Sequence, residues 1–278
     1  MASKSLLTIG AKVNTVEQLY YVPVVVLPQN TDIPLASIYC VLAKPLPWAD
    51  EENPPEPTQD RKYLKQFQKN IFVAKKINSN DISPVITRVD WTYGTTYDYY
   101  VDDQDMFDGR TFYVKNRYDQ IFKCLWNGNG DISTDEPYFE PGSYGNNNIY
   151  IGSDGYKWKY MYTIDTGSKV KFMDANWMPI PVSESDPNPL LADAGYGNID
   201  VINVINGGSG YDPANAVVTV TVTGDGSTTA TGTAQVSGGS ITDIVVTNTG
   251  KIYTYSNVSR SATRGSGATA IAPVAPIG

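Results

Sequence analysis

The sequence predicts a mainly β protein: a strand-rich, aromatic-rich body, one amphipathic helix over about 58–77, and a small all-β repeat domain at the C-terminal end. Three observations predict it. Charged residues make up 18% of the 278, below the roughly 25% of ordinary globular chains. Gly, Tyr, Asn, Thr and Ser fill the gap, and these residues suit strands and turns. Period-two alternation recurs along the chain, whereas only one segment has a clear helical period. The composition also breaks near residue 198. All five Trp, all seven Phe and 17 of the 20 Tyr lie before that point, and Gly, Thr, Ser, Val and Ala dominate after it. At roughly 150 residues per domain the length predicts about two domains, drawn here as 1–190 and 199–278.

The helix is TQDRKYLKQFQKNIFVAKKI (58–77), which places Leu64, Phe67, Ile71 and Phe72 on one face. Thr58 or Asp60 suits its start, and Lys75 and Lys76 suit its electronegative end. Arg61, Lys62, Lys65 and Lys69 form a basic stripe, read as a solvated face because the chain as a whole is acidic. FYVKNRYDQIFKCLW (112–126) reads as two β arms around Asn116-Arg117. KWKYMYTI (157–164) sets Lys157 and Lys159 against Trp158, Tyr160 and Tyr162. WMPIPV (177–182) carries two prolines and reads as an edge strand or extended segment. SESDPNPLLADAGYGN (183–198) reads as a linker or boundary loop.

The tail repeats itself. IDVINVINGGSGYD (199–212) aligns with ITDIVVTNTGKIYT (241–254) at an offset of 42, matching Ile, Ile, Val, Asn, Gly and Tyr. Between the copies, Val218, Val220 and Val222 alternate with Thr219, Thr221 and Thr223 as in a half-buried strand, closed by a turn at Gly224-Asp225-Gly226.

Composition excludes several chemistries. With no histidine there is no Ser-His-Asp or Cys-His system and no His-ligated zinc. No Walker loop or dinucleotide fingerprint is present, and no cofactor is expected. A net charge of −8 argues against nucleic acid as partner. No apolar run approaches the ~20 residues of a membrane span, nor does MASKSLLTIG read as a signal peptide. Neither a membrane partner nor secretion is therefore expected. Cys40 and Cys124 read as reduced, partly buried thiols.

Carboxylates cluster at Asp98, Asp102, Asp103, Asp105 and Asp108, a solvated acidic loop by the simplest reading. NGNGDISTDEPY (127–138) begins like a calcium loop, but Ile132 stands where Gly is required and Tyr138 where Glu is required. Trp91, Tyr93, Tyr97, Tyr99 and Tyr100 form an aromatic cluster that suits core packing, a protein interface or a glycan platform.

Four ordered blocks carry a resemblance: IYCVLAKPLPWADEENPPEPTQD (38–60), VITRVDWTYGTTYDYY (85–100), FYVKNRYDQIFKCLWN (112–127) and DGYKWKYMYTIDTGSKVKFMDANWMPIPV (154–182). They resemble the baseplate wedge protein of contractile-tailed phages, the gene-product-eight family of T-even-like phages. The matching residues are Trp48, then Arg88, Asp90 and Trp91, then Asp154, Gly155, Tyr156, Trp158 and Tyr160. The resemblance covers about half the chain and stops at 182. It implies a β-sandwich-type body in a non-enzymatic virion protein, dimeric in each wedge, bound to other wedge proteins and assembled in the bacterial host cytoplasm. Trp48, Arg88, Asp90, Trp91, Tyr156, Trp158 and Tyr160 are its expected interface or motif residues. Two other readings compete: a glycan-binding tail module using residues 91–100, and a histidine-free glycoside hydrolase using the acidic loop.

Overall fold

In a computed structural model of the chain, the described residues are 39–44, 52, 61–77, 81–104, 109–140, 148–181, 197–212, 218–261 and 265–275. They form fourteen strands and two helices, so the fold is mainly β. Two compact units divide the chain, Met1–Ser83 and Pro84–Gly278.

In the first unit, β1 (Tyr39–Ala43) pairs antiparallel with β2 (Ile71–Lys76), and α1 (Arg61–Asn70) leads into β2. The predicted helix over 58–77 therefore stops at Asn70. The helical period puts Ile71 and Phe72 on the helix face, but with Val73 they form a β-branched and aromatic run that favours the extended chain. It also gains a ladder with Tyr39–Ala43. Residues 58–60, with both predicted caps, lie outside the described residues, as does Trp48.

In the second unit, β3 (Val85–Thr87) pairs with β8 (Trp177–Pro179), so the proline-bearing segment lies in a two-stranded sheet. A four-stranded antiparallel sheet runs β4 (Tyr113–Lys115), β5 (Gln120–Asn127), β7 (Tyr156–Thr163), β6 (Ile149–Ile151). The predicted hairpin at 112–126 is present. Asn116 closes it: its Oδ1 accepts from the backbone N–H groups of Tyr118 and Gln120, both at 2.9 Å. The short helix α2 (Thr166–Phe172) is capped by Asp165, which accepts from Ser168 N at 2.9 Å.

Residues 199–275 supply β9 (Asn203–Asn206), β10 (Thr219–Gly224), β11 (Ala230–Ser237), β12 (Ser240–Asn248), β13 (Ser256–Ser261) and β14 (Thr269–Ile271). They form a sheet ordered β12-β11-β10-β13 and a β14-β9 pair. Val218, Val220 and Val222 are buried as the alternation predicts. Hydrogen bonds recur at the 42-residue interval. Ile199 N donates to Thr249 O, and Ile241 N donates to Gly207 O; Tyr253 N donates to Gly197 O, and Tyr211 N donates to Gly239 O. Asn206 Oδ1 accepts from Gly208 N and Asn248 Oδ1 from Gly250 N, each at 2.9 Å. Gly208 and Gly250 both have φ near +62°, and a Cβ would lie 2.3 and 2.6 Å from a backbone carbonyl oxygen. Only glycine fits either position.

The composition break near 198 falls inside the second unit, although the core divides there. One buried cluster draws only on 199–274, and two draw on 97–178. Of the stretch read as a linker, only 197 and 198 are described.

The β5–β7 pair is covered on both faces. One face carries Phe122, Cys124, Tyr156 and Trp158. The other carries Lys123, Lys157 and Lys159, which are 4, 8 and 7% exposed. Residues from the tail cover these lysines. Lys159 Nζ lies 2.7 Å from Asp200 and Lys157 Nζ 2.8 Å from Asp243. Asn203 Nδ2 donates to Leu125 O at 2.9 Å, and Tyr100 Oη donates to Val274 O at 3.2 Å. Lys123 stands directly across from Lys159, its Nζ 3.2 Å from the Tyr100 ring centroid. Burial, with the Lys159 charge, lowers its pKa to about 7 against the weaker pull of Asp200 and Asp102.

Removing one partner of a buried ion pair leaves an uncompensated charge, which costs about 3–5 kcal/mol. Asp200→Ala is therefore expected to destabilise the chain by about that amount, read by chemical denaturation. Lys123 behaves oppositely. The unfolded chain keeps this proton to the ordinary lysine pKa of 10.5, while the folded chain releases it near 7. The unfolded state thus binds more protons between those values, and stability rises with pH across that window. Lys123→Met is expected to remove this slope and to stabilise the protein by about 1–4 kcal/mol at neutral pH.

Candidate functional site

The motif residues separate into a core set and a surface set. Tyr156 and Trp158 are fully buried. Their rings stack at 5.4 Å, and Tyr97 meets Trp158 edge-on at 5.6 Å. Both therefore build the core rather than a surface. Tyr160 is half-buried and stacks on Phe139 at 3.9 Å. Tyr156 Oη donates to Asp131 O at 2.6 Å and accepts from Tyr97 N at 3.2 Å, joining the loop after β5 to the segment before β4.

Arg88 and Asp90 begin a chain of ion pairs. Arg88 Nη2 lies 2.7 Å from Asp90, Lys115 Nζ bridges Asp90 at 3.1 Å and Asp119 at 3.5 Å, and Lys169 Nζ reaches Asp119 at 2.6 Å. Arg88 Nη1 also donates to Asp174 O at 2.8 Å. Partial burial pushes the Asp90 carboxyl up, and hydrogen bonds and charge from Arg88 and Lys115 more than offset it, leaving it below the ordinary carboxylate range. The chain of charges ties β3, the β4–β5 turn and α2 together around the buried amine of Lys115.

Trp91 begins a surface groove. It is half-buried, and its Nε1 donates to Ser133 Oγ at 3.0 Å. Tyr97 and Tyr100 of the aromatic cluster are core residues, and Tyr99 packs on Trp126 at 5.1 Å. Only Trp91 and Tyr93 of that cluster reach the groove. The other rings there are Tyr118, from the β4–β5 turn, and Tyr138, which meet edge to face at 5.1 Å. Arg117, Thr134, Asp135 and Glu136 complete an open groove of about 480 Å³.

One wall of this groove is held by side chains behind it. Asp154 Oδ2 accepts from Ser133 Oγ at 3.1 Å, Thr134 N at 2.8 Å and Asp135 N at 3.0 Å. Its Oδ1 accepts from Tyr156 N at 3.1 Å. Asn116 Nδ2 donates to Pro137 O at 2.9 Å, and Gln120 exchanges two hydrogen bonds with the Phe139 backbone. Arg117 pairs with Glu136 through its side chain and through its backbone N–H at 2.9 Å. Asp135 accepts from Ser153 N at 2.8 Å. Partial burial pushes its carboxyl up, and hydrogen bonds from Ser153 and Tyr150 more than offset this, leaving it below the ordinary carboxylate range.

Of the acidic loop, Asp98, Asp102 and Asp103 are exposed. Asp98 accepts from Thr111 N at 2.8 Å and so anchors the chain entering β4. Asp105 and Asp108 lie outside the described residues. Among the described residues no group of three acidic or thiol side chains is placed to hold a metal ion, and no helix is long and apolar enough to cross a membrane. Of the two thiols expected to be partly buried, Cys40 is instead exposed on β1, while Cys124 is fully buried and its thiol pKa is pushed up by that burial.

Asp154→Ala leaves three loop donors without their acceptor. At about 1–3 kcal/mol for each unsatisfied buried group, with Thr134 itself exposed, a loss of about 2–3 kcal/mol is expected. The amides of Thr134 and Asp135 are expected to lose hydrogen-exchange protection before those of β5 and β7. No known protein family, curated protein or solved structure matches this chain.

Proposed function

We propose that this chain is a non-enzymatic structural subunit of a larger assembly: a virion protein of the baseplate wedge of a contractile phage tail, acting as a homodimer that joins neighbouring wedge proteins. The observation that carries the assembly reading is the surface of the first unit. Tyr39, Leu42, Leu64, Phe67, Phe72 and Val73 are 47 to 68% exposed. Burying one such side chain contributes about 1.5–3 kcal/mol, and patches of this kind mark interaction surfaces.

The occupant is a second copy of the chain. α1 carries Arg61, Lys62, Lys65 and Lys69 and no acidic residue, whereas residues 84–278 hold 12 basic and 21 acidic side chains. Two copies therefore offer complementary charge around the apolar contact. The wedge identity rests on the four ordered sequence blocks. The β4-β5-β7-β6 sheet, covered on both faces, supports the sandwich-type body, and the hydrogen bonds repeated every 42 residues support the C-terminal repeat domain.

Sedimentation of the full chain at tens of micromolar is expected to give a dimer. Leu64→Asp with Phe67→Asp is expected to return a monomer whose main thermal transition is unchanged, because neither residue belongs to the buried clusters. A wild-type chain that stays monomeric and ignores other baseplate proteins overturns the reading.

A further inference from the structure

We infer that the groove between the β4–β5 turn and the 133–138 loop is a binding site for a neutral saccharide, a role separate from the assembly contacts of the first unit. Three tyrosines bring their rings there while remaining 70% (Tyr93), 57% (Tyr118) and 41% (Tyr138) exposed. Exposed ring faces beside fixed polar groups suit a ligand with apolar C–H faces and a rim of hydroxyls. The volume, about 480 Å³, falls within the ~300–1,000 Å³ of small-molecule sites.

The wall is prepared in advance. Asp154, Asn116 and Gln120 together make six hydrogen bonds to the segment 133–139. Holding a loop that adds only Ser133 and Pro137 to the buried residues has its use in binding, where preorganisation removes the ordering cost.

Charge decides the ligand class. Arg117 is engaged by Glu136, and Asp135 is engaged by Ser153. The groove therefore has its cation already neutralised and one carboxylate in excess, which disfavours anionic ligands. Ring geometry argues against a proline-rich peptide. Tyr118 and Tyr138 lie 65° apart, so they do not form the parallel aromatic walls that clasp a polyproline helix. Hydroxyl-rich neutral ligands meet both conditions: Asp135 and Glu136 offer acceptors, Arg117 and Thr134 offer donors, and the tyrosines stack on ring faces.

The full chain is tested by saturation-transfer NMR and calorimetry against cellotetraose, maltotetraose, laminaritetraose, mannotetraose and chitotetraose at millimolar concentration. Hyaluronan tetrasaccharide and decaproline serve as the anionic and peptide probes. The expected result is binding of at least one neutral oligosaccharide, weakened about tenfold or more by Tyr118→Ala and by Tyr93→Ala, with the thermal transition unchanged. Tyr93 is the most exposed of the three, so its variant reports even where Tyr118→Ala perturbs the turn. Silence across the neutral panel overturns the inference. So does affinity untouched by either substitution, or tighter binding of hyaluronan or decaproline than of any neutral sugar.

Discussion

The second unit depends on one pair of strands buried on both sides. β5 and β7 present aromatic rings to one face and lysine amines to the other. The aromatic face needs only packing, and Phe122, Tyr156 and Trp158 with the rings around them supply it. The lysine face needs counter-charge, because an amine taken from water without a partner shifts its pKa or destabilises the fold. Asp200 and Asp243 answer two of the three lysines. The third, Lys123, is left with a tyrosine ring and a pKa near 7. Covering by residues 199–275 is therefore a condition for the sheet to exist in its observed form, and the two halves of the unit form one compact body despite their different compositions.

The groove follows from the same pair of strands. Asn116 follows β4 and Gln120 opens β5, and both are buried. Their amides close the hairpin and reach across to Pro137 and Phe139. Asp154 precedes β7 and holds the 133–135 backbone from the other side. The loop wall is thus suspended from the two central strands by side chains that are themselves fixed. Its tyrosines stand on a rigid base, as a preformed site requires.

The sequence revealed features whose cause lies nearby. The 112–126 hairpin, the Val218–Val222 alternation and the 42-residue echo each depend on local period or turn chemistry, and each appears as a strand, a buried face or a recurring bond. Features with distant causes were hidden. Lys157 and Lys159 alternate as a polar face would, yet the aspartates that bury them lie 41 and 86 residues away. The helix over 58–77 was too long because the partner of Ile71–Lys76 lies some thirty residues upstream, and only that pairing tips the segment from helix to strand. The aromatic cluster at 91–100 divided between core and groove because Tyr118 and Tyr138, its actual neighbours at the surface, are scattered in sequence. Asp154 carried a signal, an Asp-Gly before a strand, but that signal reads as a turn and not as a clamp on a loop twenty residues earlier.

The tail's own regularity shows which of its features serve the tail and which serve the sheet beneath it. Gly208 and Gly250, Asn206 and Asn248, Tyr211 and Tyr253 all obey the interval of 42, and the recurring backbone and asparagine bonds they make join residues within 197–275. Asp200 and Asp243 are 43 apart. Neither has an acidic counterpart in the other copy, where Thr242 and Val201 stand. These two carboxylates break the repeat because their positions answer to Lys159 and Lys157, which lie two residues apart on one strand and project from one face. Internal symmetry sets the turns and the buried rings of the tail. Electrostatics of the β5–β7 face sets the two residues that depart from it.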